Sequence, residues 1–182
     1  VIKAVSEALA TMDSPIVVDP VMIAKGGATL LLNEAIVTMK SQMIPLAHVL
    51  TPNIPEAEIL SGMKIDDHNS VKKAAKVLCD LGPRAVLMKG GHMRSKADID
   101  TVTDFLFEGG ELIEAFTSPR LDTPNTHGTG CTLASAIATG LSQNLGIRDS
   151  VEKARNFVFE AIKTAPGYGK GYGPLNHGHT LS

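Results

Sequence analysis

The chain has 182 residues, 43% of them hydrophobic and 20% charged, with no Trp, the make-up of an ordinary globular domain. Its 17 Lys and Arg against 19 Asp and Glu leave a formal net charge of -2; with no basic face, charge-driven binding to nucleic acid or to an acidic membrane is excluded as an expectation. The two cysteines, Cys79 and Cys131, make no disulfide framework, no apolar run approaches the roughly 20 residues that cross a bilayer, and a reducing cytoplasm is the expected compartment.

In chain order, Val1 to Ala10 is already in a helical pattern with no cap before it, and reads as a cut through a longer protein. Ile16-Val17-Val18 predicts a short buried strand, Leu30 to Met43 a helix, His48-Val49-Leu50 a second strand, Val71 to Leu81 a helix, and Ala85-Val86-Leu87-Met88 a third strand. Apolar runs without polar alternation are what strands covered on both faces require, so these three predict a parallel sheet with crossover helices. Thr101 to Phe107 and Leu112 to Phe116, joined through Glu108-Gly109-Gly110-Glu111, predict a hairpin with a tight glycine turn. Thr132 to Leu145 and Val151 to Thr164 predict helices. The second is expected to start from a capping box of Asp149 and Glu152, with Val151, Ala154, Phe157, Val158, Ala161 and Ile162 on one face.

Each predicted parallel strand is followed at once by polar or backbone-exposing residues: Asp19-Pro20, Thr51-Pro52-Asn53 and Lys89-Gly90-Gly91-His92. Open α/β sheets bind ligands beyond the carboxyl ends of their strands, so these tips are expected to line a crevice together with a glycine loop further on. That loop, Asn125-Thr126-His127-Gly128-Thr129-Gly130-Cys131-Thr132, runs into the small residues Leu133-Ala134-Ser135-Ala136. The first amides of a helix have no internal partners and carry the positive end of its dipole, while glycines let an oxyanion approach the backbone. Cys131 falls in the same turn, where partial positive charge favours a thiolate.

Phosphoryl transfer needs mainly positioning and charge neutralisation, and the parts match. The amides of Gly128, Thr129, Gly130 and Cys131 would hold the transferring group, and Lys89 would contact phosphate. Asn53 with Glu56 would hold a magnesium ion through water, and Cys131 would accept the proton of the attacking hydroxyl. Competing chemistries lack their spacing. No Lys follows the loop as in a Walker phosphate loop and no third Gly stands at the dinucleotide spacing. No Arg follows Cys131 closely enough for a cysteine phosphatase, no positioned His supports acyl transfer, and no second pair completes a zinc site.

Plain structural readings stand beside these. Asn53-x-x-Glu56 equally describes a helix N-cap and its reciprocal carboxylate. Lys89 before two glycines reads as a solvated lysine at a turn, and Asp19 as a turn residue receiving amides before Pro20. Cys79, on a helix with Val71, Ala75 and Leu78, is expected to be buried and inert. His177 and His179 are expected in a mobile terminus rather than at a metal.

Taken together, Asp19-Pro20-Val21-Met22, Thr51-Pro52-Asn53-x-x-Glu56-Ala57, Met88-Lys89-Gly90-Gly91-His92, the Asn125 to Thr132 string and the tail Gly169-Lys170-Gly171-Tyr172-Gly173-Pro174 resemble, in order, the hydroxymethylpyrimidine and phosphomethylpyrimidine kinases of thiamine biosynthesis. The resemblance implies a ribokinase-like α/β fold, a mostly parallel sheet with helices on both faces and the hairpin near 101–116. It implies one kinase domain over 1–182, without the N-terminal strand or strands and Gly-rich segment that form much of the family's acceptor pocket. The implied activity is ATP-dependent phosphorylation of 4-amino-5-hydroxymethyl-2-methylpyrimidine and then of its monophosphate, with Mg2+. Implied site residues are Cys131 as base, Lys89 and Lys170 on phosphates, Asn53 and Glu56 at the metal, and Asp19 and Thr51 beside them; a homodimer is the implied assembly. Many ribokinase-like enzymes have Asp where this chain has Cys131, which favours the pyrimidine branch. A pyridoxal kinase, and a truncated chain that binds nucleotide without turnover, remain as alternatives.

Overall fold

The computed structural model describes residues 1–22, 33–92 and 99–181. They form two compact units, Val1–Ser118 and Pro119–Ser182.

The first unit is built on a five-stranded sheet in which spatial order follows chain order: β1 (Val17–Val18), β2 (Val49–Leu50), β3 (Ala85–Met88), β4 (Thr101–Glu108) and β5 (Glu111–Pro119). The first three run parallel, Val17 beside Val49 and Val49 beside Ala85. β4 returns antiparallel, with Val86 opposite Phe107. β3 occupies the four residues expected of it, and all four are buried, as a strand covered on both faces must be. Ile16 and His48 stay outside the strands but tie their starts together: the Ile16 amide donates to His48 Nδ1 at 3.1 Å, and the His48 amide to Ile16 O at 2.8 Å. The hairpin turns through Gly109 and Gly110 with φ of 57° and 86°, the doubly left-handed conformation that matches strand twist and that a Cβ disfavours.

Among the described residues four α-helices accompany this sheet: α1 (Ile2–Leu9), α2 (Asn33–Thr38), α3 (Ile54–Ser61) and α4 (His68–Cys79). One core joins Val18, Leu50, Val86, Met88, Phe105 and Phe107 of the strands to Ile54, Ala57 and Leu60 of α3 and Val71, Ala74, Ala75 and Leu78 of α4. The helix expected over Leu30 to Met43 has residues 30–32 outside the described residues, and its end differs. After Thr38 the chain widens into a π-helical turn, Met39–Met43, then a 3₁₀ turn, Ile44–Leu46. Pro45 has no amide to continue an α-helical series, and the wider turn delivers both Met39 and Met43 to the core. α4 begins three residues before the expected Val71, at His68, because Asp67 caps it: its Oδ1 accepts from the Ser70 amide at 2.6 Å. Cys79, at the end of α4, is half-buried, and burial pushes its thiol pKa up, keeping it in the protonated form.

The second unit packs α5 (Thr129–Ser142) against α6 (Ile147–Lys163). Gly140 lies under Ser150, whose Oγ would stand 2.8 Å from any Cβ at position 140, so the two helices approach through small residues. The expected capping box of Asp149 and Glu152 is not formed. α6 starts two residues earlier than Asp149, from Gly146, with no side-chain cap; Asp149 sits in the first turn and Glu152 pairs with Arg148 at 2.6 Å. Burial of Ile147, 8% exposed, draws the helix back to where that side chain reaches the core. α5 likewise starts at Thr129 rather than Thr132 and ends at Ser142 rather than Leu145.

Candidate functional site

In the first unit the carboxyl ends of β1, β2 and β3 gather a polar cluster. Lys89 Nζ lies 2.7 Å from Asp19 Oδ1 with only 16% and 12% of the two side chains exposed, and Thr51, fully buried, donates its Oγ1 hydrogen to the same oxygen at 3.1 Å. Lys89 is thus not a solvated lysine, and Asp19 uses its side chain on a cation rather than on turn amides. Continuation of the parallel pairing past the strand ends places Asn53 beside Lys89, with the Lys89 amide donating to Pro52 O at 2.8 Å.

Asn53 and Glu56 form a complete capping box at the start of α3. The Glu56 amide donates to Asn53 Oδ1 at 2.9 Å and the Asn53 amide to Glu56 Oε2 at 2.8 Å. Glu56 is 3% exposed, and burial raises its pKa against the opposing pull of the Asn53 amide and the Lys89 charge. Two carboxylates and one ammonium therefore share a poorly hydrated tip, a surplus of one negative charge if all are ionised. Below them, Gly90 is obligatory: a Cβ there would collide with the Thr103 carbonyl, and its amide donates at 2.8 Å to Asp104 Oδ1. Asp104, 7% exposed, was not anticipated as an anchor of this turn, although a carboxylate inside the apolar run Thr101 to Phe107 was the available signal.

In the second unit, Gly128 is the N-cap of α5 in the left-handed conformation, φ 86°, with nothing within 4 Å of where a Cβ would be. Thr132 is the first residue of the turn whose amide bonds back, to Gly128 O at 2.9 Å. Among the described residues, the amides of Thr129, Gly130 and Cys131 donate to no protein acceptor. Cys131 is exposed in the same turn. Thr129 Oγ1 donates to Thr126 O at 2.8 Å and Thr132 Oγ1 to Gly128 O at 2.8 Å, so both hydroxyls brace the loop from within. Gly173 presses against the Asn125 side chain, and the His127 amide donates to Gly173 O at 3.2 Å. Lys170, on the bend before Gly173, is exposed.

A cavity of about 540 Å³ extends from Cys131 and Thr132 between α5 and α6, past Ser135, Ala136 and Thr139 to Phe157. The tail histidines are not free ends. His177 Nε2 lies 2.9 Å from Thr132 Oγ1, and the His179 ring packs on Phe157 at a centroid distance of 4.6 Å. Among the described residues no group of three or more His, Cys, Asp or Glu could hold a metal, and no helix is long and apolar enough to cross a membrane.

The structure thus brings Asp19, Thr51, Asn53, Glu56 and Lys89 together in the first unit, and Gly128, Thr129, Gly130 and Cys131 together in the second. A family profile described as phosphomethylpyrimidine kinase matches residues 1–176. The chain is 44% identical to the hydroxymethylpyrimidine/phosphomethylpyrimidine kinase of Bacillus subtilis (strain 168) over 162 residues, 89% of this chain and 58% of that protein. It is 47% identical to the thiamine biosynthesis bifunctional protein ThiED of Geobacter sulfurreducens, over 89% of this chain and 32% of that one. Among solved structures, the pyridoxal kinase of Staphylococcus aureus in complex with AMP-PCP aligns with a TM-score of 0.86 at 33% identity, over 97% of this chain and 63% of that one. The phosphomethylpyrimidine kinase of Clostridium difficile 630 aligns with a TM-score of 0.72 at 35% identity, over 88% and 63%. The chain therefore spans less than two thirds of the length of these proteins, and shares with them the ribokinase-like α/β fold. Because the profile runs unbroken through the strand tips, the glycine loop and most of the tail, this chain belongs to the phosphomethylpyrimidine kinase family.

Proposed function

We propose that the protein is an ATP-dependent kinase of thiamine biosynthesis, phosphorylating the hydroxymethyl group of 4-amino-5-hydroxymethyl-2-methylpyrimidine and then the resulting monophosphate. The observation that carries the reading is the first turn of α5, where three successive amides have no protein acceptor among the described residues and an exposed thiol stands among them. Free amides at the positive end of a helix suit the oxygens of a transferring phosphoryl group, which gains charge stabilisation without reorganisation. The names of the relatives, kinases of this pyrimidine and of its phosphate, supply the acceptor.

In this reading Cys131 takes the proton as the acceptor O–H bond breaks, the freed oxygen attacks the γ-phosphorus, and the bond from that phosphorus to the ADP oxygen breaks. The amides of Thr129, Gly130 and Cys131 hold the non-bridging oxygens throughout, and Lys170 on the exposed tail bend adds positive charge near phosphate. The nucleotide's base and ribose would lie along the α5/α6 cavity, whose wall of Ala136, Thr139 and Phe157 suits a flat, partly apolar group.

The first unit fits a magnesium ion held largely through water. Its buried Glu56 carboxylate has Asp19 as a neighbour and, among the described residues, the Lys89 ammonium acting on both, while Mg2+ takes few protein carboxylates. Asn53 Oδ1 and Glu56 Oε2 accept within the capping box and the Glu56 carboxylate also accepts from the Met22 amide, and the lone pairs left over would receive water bound to the ion. Mg2+, when bound, would supply neutralisation of phosphate charge; Asp19 and Thr51 hold Lys89 in place.

A second reading, a pyridoxal kinase, is favoured by the alignment with the Staphylococcus aureus enzyme, which also has a complex with AMP-PCP and pyridoxal, with a TM-score of 0.84. Incubation with Mg2+ and ATP and, in separate reactions, the hydroxymethylpyrimidine, its monophosphate or pyridoxal decides between them by phosphorus NMR. New pyrimidine phosphate and diphosphate signals are the expected result. Pyridoxal phosphate alone would select the second reading, and nucleotide binding without any new ester would make the chain a binding module.

A further inference from the structure

The C-terminal tail carries a histidine that the proposed chemistry does not use. His177 Nε2 is 2.9 Å from Thr132 Oγ1, and that hydroxyl donates its only hydrogen to Gly128 O at 2.8 Å. With the hydroxyl hydrogen on Gly128 O, the complementary arrangement has the ring donating to Oγ1 from a proton on Nε2. The relay His177, Thr132, Gly128 ends on the N-cap residue whose left-handed φ of 86° sets the direction of the free amides that follow. The tail around His177 is itself fixed at several points. The Asn176 amide donates to Ala161 O at 2.9 Å, Leu175 is 5% exposed, Pro174 lies beside His127 in a parallel bridge, and His179 packs on Phe157.

We propose that His177 is a positioning residue for the anion loop: by donating to Thr132 Oγ1 it holds the first turn of α5, and with it the amides of Thr129, Gly130 and Cys131, in the orientation that receives a phosphoryl group. Without the histidine, the Thr132 hydroxyl would lose the donor that holds it toward Gly128 O and could turn to water instead. The tail therefore reaches the loop through a side chain across 45 positions, in addition to the main-chain bond from the His127 amide to Gly173 O. The geometry stands independently of the kinase reading; its catalytic consequence rests on that reading.

Three variants test it: His177→Ala, which removes the donor; His177→Gln, whose side-chain amide restores a donor near the Nε2 position; and Thr132→Val, which cuts the same relay from the other side. Hydrogen exchange at the Thr132 and Leu133 amides is followed in the ligand-free protein, and kcat and KM for ATP and for the pyrimidine alcohol are measured in parallel. The expected result is exchange about tenfold faster in His177→Ala and Thr132→Val, with kcat down about tenfold, acceptor KM within twofold of the parent, and both effects largely reversed in His177→Gln. Exchange at the parent rate in His177→Ala would overturn the proposal. So would a rise confined to the KM for ATP with exchange and kcat unchanged, which would make His177 a direct nucleotide contact. If the unsubstituted protein transfers no phosphoryl group, the kinase reading fails and exchange alone decides the positioning role, with acceleration by Ala and Val and recovery by Gln supporting it.

Discussion

The strand tips of the first unit and the glycine loop of the second handle charge in opposite ways. At the tips, Asp19, Lys89, Thr51, Asn53 and Glu56 satisfy one another inside a poorly hydrated pocket. In the loop, the amides of Thr129, Gly130 and Cys131 find no protein acceptor among the described residues. Buried ionic groups are held by mutual attraction and punish the loss of a counter-charge, whereas exposed helix-start amides cost the fold little because water satisfies them until a ligand arrives. Substitutions at the tips are therefore expected to read out first as stability, and substitutions in the loop as function.

The sharpest break in that contrast would come from Lys89→Ala, which strands Asp19 beside Glu56 without a cation. A loss of about 3 kcal/mol in unfolding free energy is expected, the scale of removing one partner from a buried pair, and denaturant unfolding measures it. A loss under about 1 kcal/mol would make the pair no more than a surface contact. Cys131→Ala should do the reverse: kcat lower by at least about a hundredfold, the scale of removing a general base, with nucleotide affinity and unfolding midpoint close to the parent. An unchanged kcat would exclude the base role.

Gly128→Ala tests the loop's one backbone demand. With nothing within 4 Å of the added methyl, the cost is conformational alone, about 1 kcal/mol for holding a Cβ in the left-handed region. Thermal unfolding with that small loss, together with a larger fall in nucleotide affinity, is the expected pattern. A neutral effect on both would mean the cap angle is not essential.

The smallest expected effect is at Glu56→Gln, and it depends on pH. Because burial raises the Glu56 pKa in the folded state, that state holds the proton more tightly than the unfolded chain does. Stability from this group therefore falls as pH rises from the ordinary carboxylate range through the raised folded value. Glutamine keeps an oxygen for the Asn53 amide while removing the charge. The variant should melt higher than the parent at neutral pH, with the gap closing as the pH drops below the ordinary carboxylate value. A gap of the same size at all pH values would assign the effect to packing instead of ionisation.

Several features were legible because their causes are local. Ala85 to Met88 is an uninterrupted apolar run and became β3 without a residue's error. Gly109-Gly110 turned where only glycine is comfortable, and Asn53-x-x-Glu56 formed the reciprocal bonds that its spacing of three allows. The Gly128 to Cys131 segment opened a helix with free amides, since two glycines before small side chains leave the backbone bare. Start points of helices were less legible. Asp149 has the chemistry of a cap, but α6 begins at Ile147, because burying that side chain outweighs a side-chain cap.

Chain order and residue type were thus enough to establish the alternation of strands and helices, the hairpin and the glycine loop that opens a helix, all of which depend on neighbours within a few positions. Folding alone paired Lys89 with Asp19 across 70 positions and His177 with Thr132 across 45. Nothing local distinguishes those residues from a solvated lysine or a loose tail, since a long-range partner is defined by where the packed core delivers both ends. The division has one physical root: backbone conformation answers to adjacent side chains, while the environment of a charge or a ring nitrogen answers to whatever the packed fold brings beside it.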